Sequence, residues 1–275
     1  MRDRARRRAR RARLAGVGVI VVLLATIGLT AGYLVAQSSS DAAGPPSQAT
    51  APTSPLTTTT SPPATTTTQQ SPSTQGSSST TAKPAPPKPA IVPQMIGLSS
   101  RRLAETAAYS KRHYGVASYR LHPRLIVLHF TASGAGSEPG VHSLFNSDTP
   151  NGGELPGVCA HFVVDQDGTI YQQAPLDVIC RHTIGVNDHA LGIEMVQSTG
   201  PSAHWADQQI LHRHAQIHAV LALVRWLRWR FHVTLANVIG HSMANDSPYF
   251  HDLEGWRNDH TDWQVEDVRQ LRAML

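Results

Sequence analysis

At 275 residues and 40% hydrophobic content, the chain has room for one ordinary domain of about 100 to 200 residues plus non-globular sequence. Its pI of about 9.6 suggests nucleic acid, but the charge is in the wrong place for that. Residues 1–13 (MRDRARRRARRAR) hold eight of the 24 Lys+Arg and one of the 19 Asp+Glu, so they carry +7 and the rest of the chain −2, which excludes a nucleic-acid face on the globular part.

Leu14 to Ala36 (LAGVGVIVVLLATIGLTAGYLVA) is uncharged and long enough to cross a hydrocarbon core, which needs about 20 residues. Arginines before it and none just after predict a transmembrane helix or signal anchor with its N-terminus in the cytoplasm and the remainder outside the membrane. A signal peptide cleaved after Leu34-Val35-Ala36 is the alternative, and both readings export the C-terminal part. Residues 37–93, rich in Ser, Thr and Pro, cannot bury enough surface to fold and are expected to form a disordered linker. Export permits a disulfide between Cys159 and Cys180, the alternative being two buried thiols.

The globular part is assigned to residues 94–275. Leu98 to Arg112 reads as a helix opened by Ser99 or Ser100. Leu125 to Phe130 (LIVLHF) is a continuous apolar run, as a strand covered on both faces requires, and it delivers His129 at its C-terminal end. Thr131 to Gly157 is rich in Gly, Ser, Pro and Asn and reads as a long loop. Cys159 to Tyr171 is a hairpin signal around Asp165 to Gly168, and Ala190 to Val196 (ALGIEMV) is a further strand interrupted by Glu194. Asp207 to Phe231 repeats apolar residues at helical period and is expected to be one long helix. Leu235 to Gly240 returns as a strand into His241, and Trp263 to Leu275 closes as a short helix. Alternating strands and helices predict an α/β class, a central mixed sheet flanked by helices.

All 15 histidines lie between His113 and His260. His212, His214, His218 and His232 sit on or beside the long helical segment and suit surface or capping positions. His129 and His241 each end an apolar strand, where a sheet presents functional groups. A catalytic zinc takes three protein ligands and keeps one open position, and Asp262, just before the closing helix, is the third ligand we assign. Glu194 lies in a strand with no polar neighbour beside it, so it is kept neutral, paired by an internal salt bridge, or pointed into a site, where it could act as general base.

LIVLHFTAS, CAHFVVDQDGTIYQ, RHTIGVNDHALGIEMV and VIGHSMAND, in this order, resemble the zinc-dependent N-acetylmuramoyl-L-alanine amidase family (amidase-2), which includes phage amidase lysozymes and peptidoglycan recognition proteins. The resemblance spans Leu125 to Trp263. It implies a zinc cleft at the strand ends that cuts the amide between N-acetylmuramic acid and L-alanine of the peptidoglycan stem peptide. Residue by residue, it implies His129 and His241 as zinc ligands, Glu194 as the catalytic carboxylate, Asp262 as the third ligand, and His260 where the family's lysine stabilises the oxyanion; in the mechanism we expect, His182 joins His260 at the oxyanion, the alternative being a buried ring beside Cys180.

His241 and Asp262 are 21 positions apart, more than the family's usual spacing, so His251, Asp252, Asp259 and His260 remain rivals for the third ligand. The expected partners are peptidoglycan and, through the N-terminal helix, the membrane, for a monomeric enzyme whose catalytic domain is extracytoplasmic. A non-catalytic wall-binding module of the same fold is the competing reading.

Overall fold

The computed structural model describes residues 84–275; the basic tail, the apolar run at 14–36 and the linker up to residue 83 lie outside the described residues. Among the described residues no helix is long and apolar enough to cross a membrane.

The elements are, in chain order, β1 (Val92–Pro93), α1 (Ser100–Tyr114), β2 (Leu125–Phe130), α2 (Glu138–Asn146), β3 (Phe162–Val164), β4 (Ile170–Gln172), β5 (Ala190–Met195), α3 (Ala203–His212), α4 (His214–Phe231), β6 (Val238–Gly240) and α5 (Val265–Ala273). The six strands form one sheet in the order β1-β4-β3-β5-β2-β6, with β3 and β4 antiparallel and every other pair parallel. This is the mixed sheet flanked by helices that the sequence predicts.

Side-chain alternation divides the core. On one face Ile126, Leu128, Leu191, Ile193 and Met195 pack with Ile217, Val220, Val224 and Leu227 of α4 and with Val268 and Leu271 of α5. The other face carries Leu125, Val127 and Ala190, packed with Val186, Ile239 and Ala244. His129 and Glu194 share the parity of this second set, so both leave the sheet on the side away from α4. They are also register partners on adjacent strands.

Several expectations are corrected. Val92–Pro93, assigned to the end of the linker, joins the sheet as a parallel edge strand beside β4. The predicted loop from Thr131 to Gly157 contains α2, which buries Phe145 and Glu138, the latter accepting from Gln173 Nε2 at 2.9 Å. The predicted single helix from Asp207 to Phe231 is two helices, because Arg213 adopts an extended conformation (φ −83°, ψ 96°). Its guanidinium donates to Gln197 Oε1 and Gln216 Oε1, and these tertiary contacts outweigh arginine's own helical preference. The predicted strand from Leu235 begins with a 3₁₀ turn over Leu235–Asn237, leaving Val238–Gly240 as strand. The hairpin and the α1 helix, capped by Ser99 Oγ on Arg102 N, form as predicted. Cys159 and Cys180 are bridged, with Cα atoms 5.1 Å apart.

Candidate active site

His129 at the end of β2, His241 just after β6 and Asp262 just before α5 converge at the open end of the sheet. Asp262 Oδ2 lies 3.3 Å from His129 Nδ1 and Asp262 Oδ1 lies 3.2 Å from His241 Nδ1. The two imidazoles meet edge to face with centroids 4.5 Å apart. All three residues are buried.

Asp262 reaches the histidines through close backbone packing. A Cβ on Gly240 would overlap the carbonyl oxygen of Trp263, so only glycine lets the 262–263 segment lie against the end of β6. Ser242 N then donates to Asp262 O (3.1 Å) and Ser242 Oγ to Trp263 O (2.7 Å). The fully buried Trp263 donates from Nε1 to His129 O (3.3 Å), and Asp207 of α3 accepts from the backbone N–H groups of Trp263 and Gln264.

The rivals are placed elsewhere. Asp252 accepts from the buried His113 at 2.8 Å, while His251 and Asp259 are exposed and outside the cluster. His260 stacks on His241 at 4.2 Å with its Nδ1 3.8 Å from Asp262 Oδ1, and its side chain is 63% exposed, placing it at the rim. Desolvation of its inner face, reinforced by His241, lowers its pKa.

Hydrogen bonds behind the histidines decide which ring nitrogens are free. His182 Nε2 donates to Ala190 O (3.3 Å), so its Nδ1 is an acceptor and faces His129 Nε2 at 3.1 Å. His129 therefore keeps its proton on Nε2 and directs the Nδ1 lone pair at the cluster. The ring of His182 fits there because position 192 is glycine: a Cβ would lie 2.8 Å from its Cγ. Asn187 Oδ1 fixes this segment by accepting from the backbone N–H groups of His182 (2.9 Å) and Thr183 (2.7 Å). His182 thus stands behind His129, on the Nε2 side, rather than facing the cluster as an oxyanion group would.

The electrostatics favour a bound cation. Burial, and then the neighbouring His241, lower the pKa of His129 to about 4, so its ring is neutral at physiological pH. Burial alone would raise Asp262, but the His129 and His241 rings lying against its two oxygens outweigh it and hold the carboxyl well below its ordinary range. Two nitrogen donors and one carboxylate form a set that suits zinc. Beside it, burial and the Asp262 charge raise Glu194 to about 8, and its Oε2 is buried without a hydrogen-bond partner among the described residues.

Reasoning from sequence missed Trp263, Asp207 and Asn187. Asn187 falls inside a motif-bearing stretch and Trp263 at the end of the resembling segment, but only tertiary structure reveals what they touch.

A mixed sheet with a two-histidine, one-aspartate cluster at its open end, which could hold a metal ion, and a glutamate on the neighbouring strand defines an α/β domain with a candidate metal site. The comparisons agree with that class: residues 119–263 match the amidase-2 family model, N-acetylmuramoyl-L-alanine amidase, and the chain belongs to that family. The chain is similar to the N-acetylmuramoyl-L-alanine amidase LysC from Clostridium intestinale URNW at 20% identity and TM-score 0.41, over 66% of this chain and 96% of that one. It is also similar to the Ph2119 endolysin from Thermus scotoductus MAT2119 bacteriophage Ph2119, at 20% identity and TM-score 0.41, over 66% of this chain and 99% of that one. A mutant endolysin from Bacillus subtilis has 22% identity and TM-score 0.37, over 56% of this chain and 84% of that one. No curated protein matches the chain.

Proposed function

We propose that the chain is a zinc-dependent peptidoglycan hydrolase that cleaves the amide between N-acetylmuramic acid and L-alanine of the stem peptide. The observation that carries the reading is the convergence of His129, His241 and Asp262 beside Glu194, a half-buried residue whose Oε2 is buried without a partner among the described residues. When bound by these three side chains, zinc supplies a Lewis acid that polarises the scissile carbonyl and brings the pKa of a water toward about 7.

The chain's own groups do the rest. His129 stays neutral because it is buried, and Asp262 stays ionised, so both can act as donors at neutral pH. Glu194, ionised once a bound cation offsets part of its upward shift, takes the proton of the attacking water at one oxygen and returns it to the amine nitrogen as the amide C–N bond breaks. His260, at the rim and stacked on His241, is the group we assign to stabilising the oxyanion. His182 serves as the hydrogen-bond acceptor that orients His129. A purely wall-binding role would leave the unpaired Glu194 oxygen without a task.

In this reading residues 14–36 anchor the chain in the membrane, residues 37–91 act as a spacer, and the catalytic domain works as a monomer on the extracytoplasmic side. The test is digestion of purified peptidoglycan by the full-length chain, with and without chelator, followed by mass analysis of the released ends. Intact stem peptides that disappear on chelation are expected. Cleavage at another bond, or cleavage indifferent to chelator and to Glu194→Ala, would refute the assignment.

A further inference from the structure

His241 has an outer partner of its own, and it comes from the extra residues that separate His241 from Asp262. Its Nε2 lies 3.0 Å from Asn258 Oδ1. The orientation of the Asn258 amide is fixed by the backbone of Ile184: Asn258 Nδ2 donates to Ile184 O at 2.7 Å, and Ile184 N–H donates to Asn258 Oδ1 at 3.1 Å. A carbonyl oxygen only accepts and an amide N–H only donates, so the reverse orientation would break both contacts. Oδ1 therefore faces His241, and His241 Nε2 must carry the proton. The remaining nitrogen, Nδ1, is the one 3.2 Å from Asp262 Oδ1.

Asn258 is itself held on its other side. Its N–H donates to Asn245 Oδ1 at 3.0 Å, and Asn245 Nδ2 donates to its carbonyl at 2.8 Å. Asn245 belongs to the 3₁₀ turn that begins with His241. Ile184 follows His182 and Thr183, which contact His129 Nε2 at 3.1 and 3.2 Å. One amide thus ties the outer support of His241 to the segment that supports His129.

We propose that Asn258 is a positioning residue that keeps the proton of His241 on Nε2 and so presents Nδ1 to the metal, a role that rests on the zinc-amidase reading above. Metal-ligating imidazoles whose second nitrogen loses its partner weaken metal binding by about 10- to 100-fold. Asn258 is thus a determinant of metal affinity that lies outside the ligand set.

The test measures zinc affinity of the full-length chain by competition with a chromophoric chelator, for wild type, Asn258→Ala and Asn258→Asp, with His129→Ala as the ligand-loss control. Asn258→Ala should bind zinc about 10- to 100-fold more weakly. Asn258→Asp should recover most of that loss, because its carboxylate accepts the same Nε2–H although it forfeits the bond to Ile184 O. Long-range 1H–15N correlation of the histidine rings in the wild-type chain gives a reading independent of any variant's folding, and should find His241 protonated on Nε2 in both the metal-free and the zinc-loaded protein. Equal zinc affinity in wild type and Asn258→Ala, or a His241 ring with no proton on Nε2, overturns the role of Asn258 and leaves the amidase reading standing. Failure of wild type to bind zinc more tightly than His129→Ala overturns both.

Discussion

Replacing Glu194 by glutamine should stabilise the metal-free protein, and by an amount that grows with pH. Burial and Asp262 raise this carboxyl from 4.5 to about 8. Because the folded-state pKa is raised, the native state holds the proton more tightly than the unfolded chain, and stability falls as pH rises from 4.5 through 8. At about 1.4 kcal/mol per tenfold change in proton affinity, ionising Glu194 inside the fold costs about 4 kcal/mol at pH 8 and less than about 1 kcal/mol at pH 5. Glutamine never ionises and escapes that cost. His129 works in the opposite sense, its lowered pKa removing stability as pH falls from 6.5 toward 4, but it is common to both proteins and cancels in the comparison. The assay is urea unfolding in the presence of chelator, followed by tryptophan fluorescence, at pH 5 and pH 8. The stability difference between Glu194→Gln and wild type should grow by about 3 kcal/mol toward pH 8. A difference that stays constant over that range would refute the assignment of a buried, unpaired carboxylate.

The same carboxyl sets the acid side of the activity profile: Glu194 accepts a proton only when ionised, so kcat/KM should fall as pH drops, with a midpoint between 4.5 and 8 because a bound cation offsets part of the upward shift. Gly240→Ala should displace the 262–263 segment through its clash with the Trp263 carbonyl, and abolish tight zinc binding in equilibrium dialysis while the secondary structure seen by far-UV circular dichroism is kept. Replacing both Cys159 and Cys180 by serine opens a loop of sequence separation 21 and should lower unfolding stability by about 3 kcal/mol, read from denaturant melts with and without reductant.

The strand ends were legible because their chemistry is local. A continuous apolar run that finishes in a histidine announces both the buried strand and the group it delivers, and this holds for His129 and His241 alike. Glu194 stands out for the same reason, as a charge where burial leaves no room for one. The α2 helix was hidden by the Gly, Ser and Pro around it, and the break at Arg213 by a residue that favours helix and is held extended by Gln197 and Gln216. The outer hydrogen bonds were beyond sequence because their partners are remote: 53 positions separate His129 from His182, and 74 separate Ile184 from Asn258.

The 21 positions between His241 and Asp262 made the third ligand ambiguous on spacing alone. Yet the chain is clasped at the neck of this excursion, where Ser242 bonds to the main chain of both Asp262 and Trp263. With the two ends fastened together, the ligands do not register how much chain runs between them, and each doubling of such a loop adds only about 0.6 kcal/mol of closure entropy. Length there is a nearly free variable. The interval can lengthen and take on residues such as Asn258 while the two ends that carry His241 and Asp262 stay where they are.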